Sequence, residues 1–148
     1  MTLQAIHKTI EINAPAEKVW QVLLDENHIR EWYKSFGEGV MAETDWQLGS
    51  KAVFKDQKGN GIIGRIVQHI PNKEITIEYD GFLIDGKPDF ESEGARASKG
   101  TQESYKLHPT ANGVMLEITC EMDETYFDTM SQAWEKALEK IKELSEAL

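Results

Sequence analysis

Hydrophobic and polar positions change their period along the chain, and the changes mark its elements. Ile6, Lys8, Ile10 and Ile12 alternate with His7, Thr9 and Glu11, the two-residue period of a half-buried strand. Pro15 then suits the first position of a helix, where its missing N–H would be unpaired anyway. Ala16, Val19, Trp20 and Leu23 follow at helical spacing. Asp25 and Asn27 interrupt this helix. Asn27 is placed to cap a second one in which Ile29, Trp32, Tyr33 and Phe36 repeat the spacing before Gly37 and Gly39 end it.

From Gly39 to Met122 the punctuation is Gly, Asn and Pro, and the stretches between are β-branched and aromatic. Strands are expected near Val40–Thr44, Lys51–Lys55, Ile62–Ile70, Glu74–Tyr79, Thr101–His108 and Val114–Met122, with turns at "KGNG", "PNK" and "PTANG". Between Tyr79 and Thr101 runs "DGFLIDGKPDFESEGARASKG", longer than hairpins normally use. Its glycines and charges with Phe82, Leu83, Ile84 and Phe90 lead us to expect a mobile lid over a cavity mouth. The last segment is a long amphipathic helix. Phe127, Met130, Trp134, Ala137, Ile141, Leu144 and Leu148 step by three and four between charged positions, and Thr125 with Asp128 resembles a capping box.

The order strand, two short helices, six strands, long helix implies one curved antiparallel sheet with a single long helix over one face. A helix about 10–12 Å across cannot fill the concave side of so wide a sheet. Large side chains must fill the remainder or line a cavity. Trp32, Phe36, Phe54, Tyr79, Tyr105, Met130 and Trp134 are the candidate liners, with Phe82 contributed by the long loop. Short helices are marginal alone, so those after the first strand depend on this aromatic surface. If Trp32 lines a cavity, truncating it should cost little stability, whereas a core role predicts about 3–5 kcal/mol.

Composition narrows the partners. The 148 residues are expected to form one domain, 1–148, large enough for a core without disulfide or metal staples. Sixteen Lys and Arg against 26 Asp and Glu give a formal charge of −10, which repels phosphate backbones and anionic membrane surfaces. Nucleic acid and membrane are therefore not expected partners. No secretion signal or membrane-length apolar run is visible, so a cytoplasmic location is the default expectation.

The pieces "INAPAEKVWQVL", "IREWY", "LGSKAVF", "GRIVQHIPNKEITIEY", "GKPDFESEGARASKGTQESYKL" and "FDTMSQAWEKALEKIKELSE" resemble the START and birch-pollen-allergen-like (SRPBCC) superfamily, in its branch named after the activator of heat-shock protein 90 ATPase. The resemblance covers nearly the whole chain. It implies the helix-grip α+β fold: a curved antiparallel sheet of about seven strands wrapped around a C-terminal helix, with two short helices after strand one. Related folds bind lipids, hormones or polyketides, and some are cyclases or dehydratases. The branch's name implies a chaperone as an alternative partner.

Candidate chemistry is sparse. "GNGIIG" at Gly59–Gly64 fits a dinucleotide fingerprint, but a strand is expected after it where the fingerprint needs a helix, so Asn60-Gly61 reads as a hairpin turn. His7, His28, His69 and His108 lie in different elements without ligand spacing, and Asp85, Asp89, Glu91 and Glu93 lack the calcium-loop pattern, so no metal is expected. Cys120 is in phase with Leu116, Ile118 and Met122, a small buried hydrophobe with no assignable base. Arg65 reads as a surface residue. With no nucleophile–base pair and no cofactor motif, catalysis ranks below a binding role. The leading expectation is a cavity for a mostly apolar small molecule, lipid-like or aromatic. A co-chaperone-like interaction module is the alternative.

Overall fold

In a computed structural model of the protein, residues 2–147 are described. The first strand, β1 (Leu3–Ile12), leads into two short helices, α1 (Ala16–Leu24) and α2 (Glu26–Trp32), and a 3-10 turn at Tyr33–Ser35. Next come β2 (Met41–Glu43), β3 (Lys51–Lys55), β4 (Gly61–Ile70) and β5 (Glu74–Ile84). A short β6 (Lys87–Asp89) and α3 (Glu93–Ser98) precede β7 (Gln102–Pro109) and β8 (Val114–Asp123). The chain closes in α4 (Phe127–Ala147). Leu148, assigned from sequence to the apolar stripe of α4, lies outside the described residues.

The eight described strands form one antiparallel sheet in the order β1-β8-β7-β5-β4-β3-β2, with β6 added to β5. Two register shifts between β4 and β5, at Ile63/Gly64 and Ile66/Gln68, bend the sheet, as bulges do. α4 packs against β1, α1 and α2. Its Trp134, Ala137, Leu138 and Ile141 are buried, together with Ile75 and Ile77 of β5 and Leu116 and Ile118 of β8. This is the expected α+β helix-grip architecture.

Three local expectations are corrected. α2 is capped by Asp25, not Asn27: its side chain accepts from the Asn27 N–H at 2.9 Å, and the same residue ends α1. Ahead of α4, Asp123 rather than Thr125 supplies the capping side chain: it accepts from the Thr125 N–H at 3.2 Å at the head of a 3-10 turn, Glu124–Tyr126, that leads into the helix. The turn between β3 and β4 is drawn in by Asp56 and rounded at Gly59, whose φ is 81°, so Gly61 already belongs to β4. A Cβ on Gly61 would collide with the Phe54 carbonyl oxygen and lie 2.8 Å from Lys55 Cα. β3 and β4 therefore approach this closely only because residue 61 has no side chain.

The long 79–101 connection is also corrected. β5 continues to Ile84, turns at Asp85 and Gly86, both at positive φ, and returns as β6 before α3. Ser92 caps α3 by accepting from the Ala95 N–H, and Asp89 accepts from the N–H groups of Glu91 and Ser92. The hairpin is tied to the β3–β4 turn through Gly86 N–H to Gly59 O and Asp85 N–H to Asn60 Oδ1.

Candidate functional site

Alternation along the central strands aims one set of side chains at α4. On β7 these are Glu103, Tyr105 and Leu107; on β8 they include Leu116, Ile118 and Cys120. Register then brings particular residues together. Glu103 pairs with Cys120 on one side and Ile77 on the other, which puts Tyr79 diagonally within reach.

The outcome is a carboxylate held by three donors. Glu103 Oε1 accepts from the Tyr79 hydroxyl at 2.9 Å and from the Cys120 thiol at 3.2 Å, and Oε2 accepts from the Tyr105 hydroxyl. Burial pushes the phenols of Tyr33, Tyr79 and Tyr105 well above their usual range, and the nearby Glu103 charge adds to the effect. Cys120 is raised for the same two reasons in the same order. It is therefore held as a thiol, which is a poor nucleophile. The indole N–H of Trp134 is buried without a hydrogen bond of ordinary geometry, and its weak pull on Cys120 does not outweigh burial.

Above this group lies a cavity of about 290 Å³. Glu103, Tyr79 and Tyr105 line its sheet side; Trp32, Tyr33 and Phe36 come from α2 and the turn after it, and Met130 and Trp134 from the first half of α4. Val40, Phe54, Gly61 and Ile62 complete the apolar wall, and Lys55, Asp56 and Asn60, all partly exposed, add polar groups. The rings interlock. Trp134 sits 5.0 Å from Phe36, 5.7 Å from Tyr105 and 6.1 Å from Trp32, while Phe54 meets Tyr79 edge-on at 6.4 Å. Such offset and T-shaped contacts are the favourable ones.

Of the residues singled out from sequence, Trp32, Phe36, Phe54, Tyr79, Tyr105, Met130 and Trp134 come together around this cavity. Phe82 does not: it lies against Gly94 of α3, and none of residues 80–101 lines the cavity. Glu103 was missed. Its signal was its phase, two residues from Tyr105 and four from Leu107 on a strand whose intervening positions, Ser104 and Lys106, are polar.

Other charged groups face outward. Arg65 is exposed and pairs with Glu78 at 2.6 Å and Asp80 at 2.8 Å. Glu117 accepts from His7 at 2.6 Å and from His108 at 2.8 Å, and these two hydrogen bonds lower its pKa. Among the described residues no group of three or more His, Cys, Asp or Glu is arranged to hold a metal ion, and no helix is long and apolar enough to cross a membrane.

An antiparallel sheet gripping a long helix, with an aromatic cavity between them, defines a helix-grip domain of the START and birch-pollen-allergen-like kind. Within that class the chain belongs to the family described as Activator of Hsp90 ATPase homolog 1-like protein, whose sequence model matches residues 13–146. No curated protein matches it significantly. Among solved structures it is similar to protein MLL2253 from Mesorhizobium loti, with a TM-score of 0.75 at 15% identity over 97% of this chain and 98% of that one. It is also similar to the Aha1 dimer from Colwellia psychrerythraea, with a TM-score of 0.70 at 20% identity over 97% and 96%. ChR145 from Cytophaga hutchinsonii gives a TM-score of 0.70 at 26% identity over 99% and 97%.

Proposed function

We propose that the protein binds a mostly apolar small molecule in the cavity between sheet and α4. One observation carries this reading: a cavity of about 290 Å³ walled by aromatic side chains, with a few polar groups held in fixed positions. Ligand sites are commonly concave and apolar with a small number of placed polar groups, and this volume sits at the small end of their range. A compact ring system fits such a space better than a long acyl chain. With Cys120 held as a thiol and no activated nucleophile beside it, binding rather than covalent catalysis is the role supported.

The test combines native mass spectrometry of freshly purified protein, with extraction of what co-purifies, and titration with an environment-sensitive apolar dye. Val40→Phe adds bulk to the lining. It is expected to weaken dye binding about tenfold, equivalent to about 1.4 kcal/mol. Equal dye affinity in both proteins would refute the cavity as the binding site. The alternative, a co-chaperone-like module that would also place the protein in the cytoplasm, is supported by the family's description. Retention of a chaperone in place of a small molecule would favour it.

A further inference from the structure

We propose that the ligand of this cavity carries a protonated amine on a compact apolar body, and that Glu103 receives it. The inference rests on the cavity reading above and adds the ligand's charge and polar group.

Acceptor capacity comes first. Each carboxylate oxygen has two lone-pair sites. Oε1 of Glu103 uses both, for the Tyr79 hydroxyl and the Cys120 thiol, whereas Oε2 has the Tyr105 hydroxyl alone. One acceptor site remains on a group that lines the cavity. Charge comes next. The three donors around Glu103 are neutral, since both tyrosines and the cysteine are held protonated, so hydrogen bonds spread its negative charge without cancelling it. A cationic N–H donor supplies both the missing hydrogen bond and the missing charge, and such charge-assisted bonds are about twice as strong as neutral ones.

The walls favour the same ligand. Trp32, Phe36, Tyr105 and Trp134 lie within 6.4 Å of one another in the contacts they make, and indole and phenol faces attract a cation through their quadrupoles. Anionic ligands are disfavoured. A carboxylate brought next to Glu103 meets like charge, and the lining cation, Lys55, is already paired with Glu43 at 2.8 Å. The formal charge of −10 further biases encounter towards cations.

Three near-isosteric probes separate the possibilities: 2-phenylethylamine, 2-phenylethanol and phenylacetate, each titrated into the protein while the indole N–H resonances of Trp32 and Trp134 are followed by NMR. The amine is expected to bind at least about tenfold more tightly than the alcohol, and phenylacetate more weakly than either; tenfold corresponds to about 1.4 kcal/mol. In Glu103→Gln the amine-to-alcohol ratio is expected to fall close to one. Alcohol binding as tight as amine binding in the wild type, or a ratio unchanged in Glu103→Gln, overturns the amine assignment while leaving the cavity reading intact. If none of the three shifts the two indole resonances, the cavity reading fails and the amine assignment with it.

Discussion

Trp32→Ala is expected to destabilise the protein by about 3–5 kcal/mol and to weaken apolar-dye binding at the same time. Trp32 is only 1% exposed, its indole N–H donates to the Val22 carbonyl at 3.0 Å, and its ring touches Tyr33, Phe36, Tyr105 and Trp134. Truncation therefore removes transfer energy, a buried hydrogen bond and the wall that α2 presents to the cavity. The expectation that a cavity-lining tryptophan could be truncated cheaply does not survive this geometry: the residue is lining on one side and core on the others. Thermal or urea denaturation gives the stability change, and dye titration gives the binding change. A large stability loss with dye affinity preserved would show that the aromatic cluster is packing alone.

Alkaline pH is expected to be the second strong perturbation. The native pKa values of Tyr33, Tyr79, Tyr105 and Cys120 are raised, so the folded state holds these protons more tightly than the unfolded chain. The stability they contribute is fully present below the unfolded values, about 8.5 for the thiol and about 10 for the phenols, and is lost as pH rises from there towards the folded values. Each group contributes a slope of up to about 1.4 kcal/mol per pH unit in that window. Thermal midpoints should stay level to about pH 8.5, decline gently while only the thiol's contribution is being lost, and fall steeply above about pH 10, where the three phenols join it. Tyr79→Phe should fall less steeply, having one fewer buried phenol. Midpoints level to about pH 11 would contradict the burial of these groups beside Glu103.

The periodic parts of the chain were the legible ones. The apolar stripe of α4, the alternation of β1 and the aromatic residues in and just after α2 each encode a buried face locally, and with the aromatic residues of β3, β5 and β7 they account for the fold and seven of the cavity's residues. What needed register was not legible. Glu103 reads as one more charged residue of an acidic chain until β7 is aligned on β8, which sets it opposite Cys120. The β5–β6 hairpin is a different kind of miss. Asp85-Gly86 is a standard two-residue turn signal between Phe82–Ile84 and Lys87–Asp89, but Gly81 and the acidic residues around it made the stretch look like open loop. At Asp25 the cap was misplaced because one residue both ends α1 and begins α2.

The pairing of β1 with β8 has a consequence for the order in which the molecule assembles. β1 is synthesised before every other described element, yet its strand partner is the last strand, in register from Leu3 opposite Asp123 to Ile12 opposite Val114. Its side-chain and cap contacts also reach forward: Lys8 to Glu135 at 3.1 Å, the Asn13 N–H to Glu146 at 2.9 Å, and Lys142 back to the Glu11 carbonyl at 2.9 Å. The β4–β5 and β7–β8 hairpins close short loops, whereas docking β1 closes almost the whole chain, at a greater entropic cost and a slower rate. Met130 and Trp134 arrive with the same late helix. A nascent or partly refolded chain can therefore hold a formed central sheet and still have no pocket, because the cavity exists only after β1 and α4 have met.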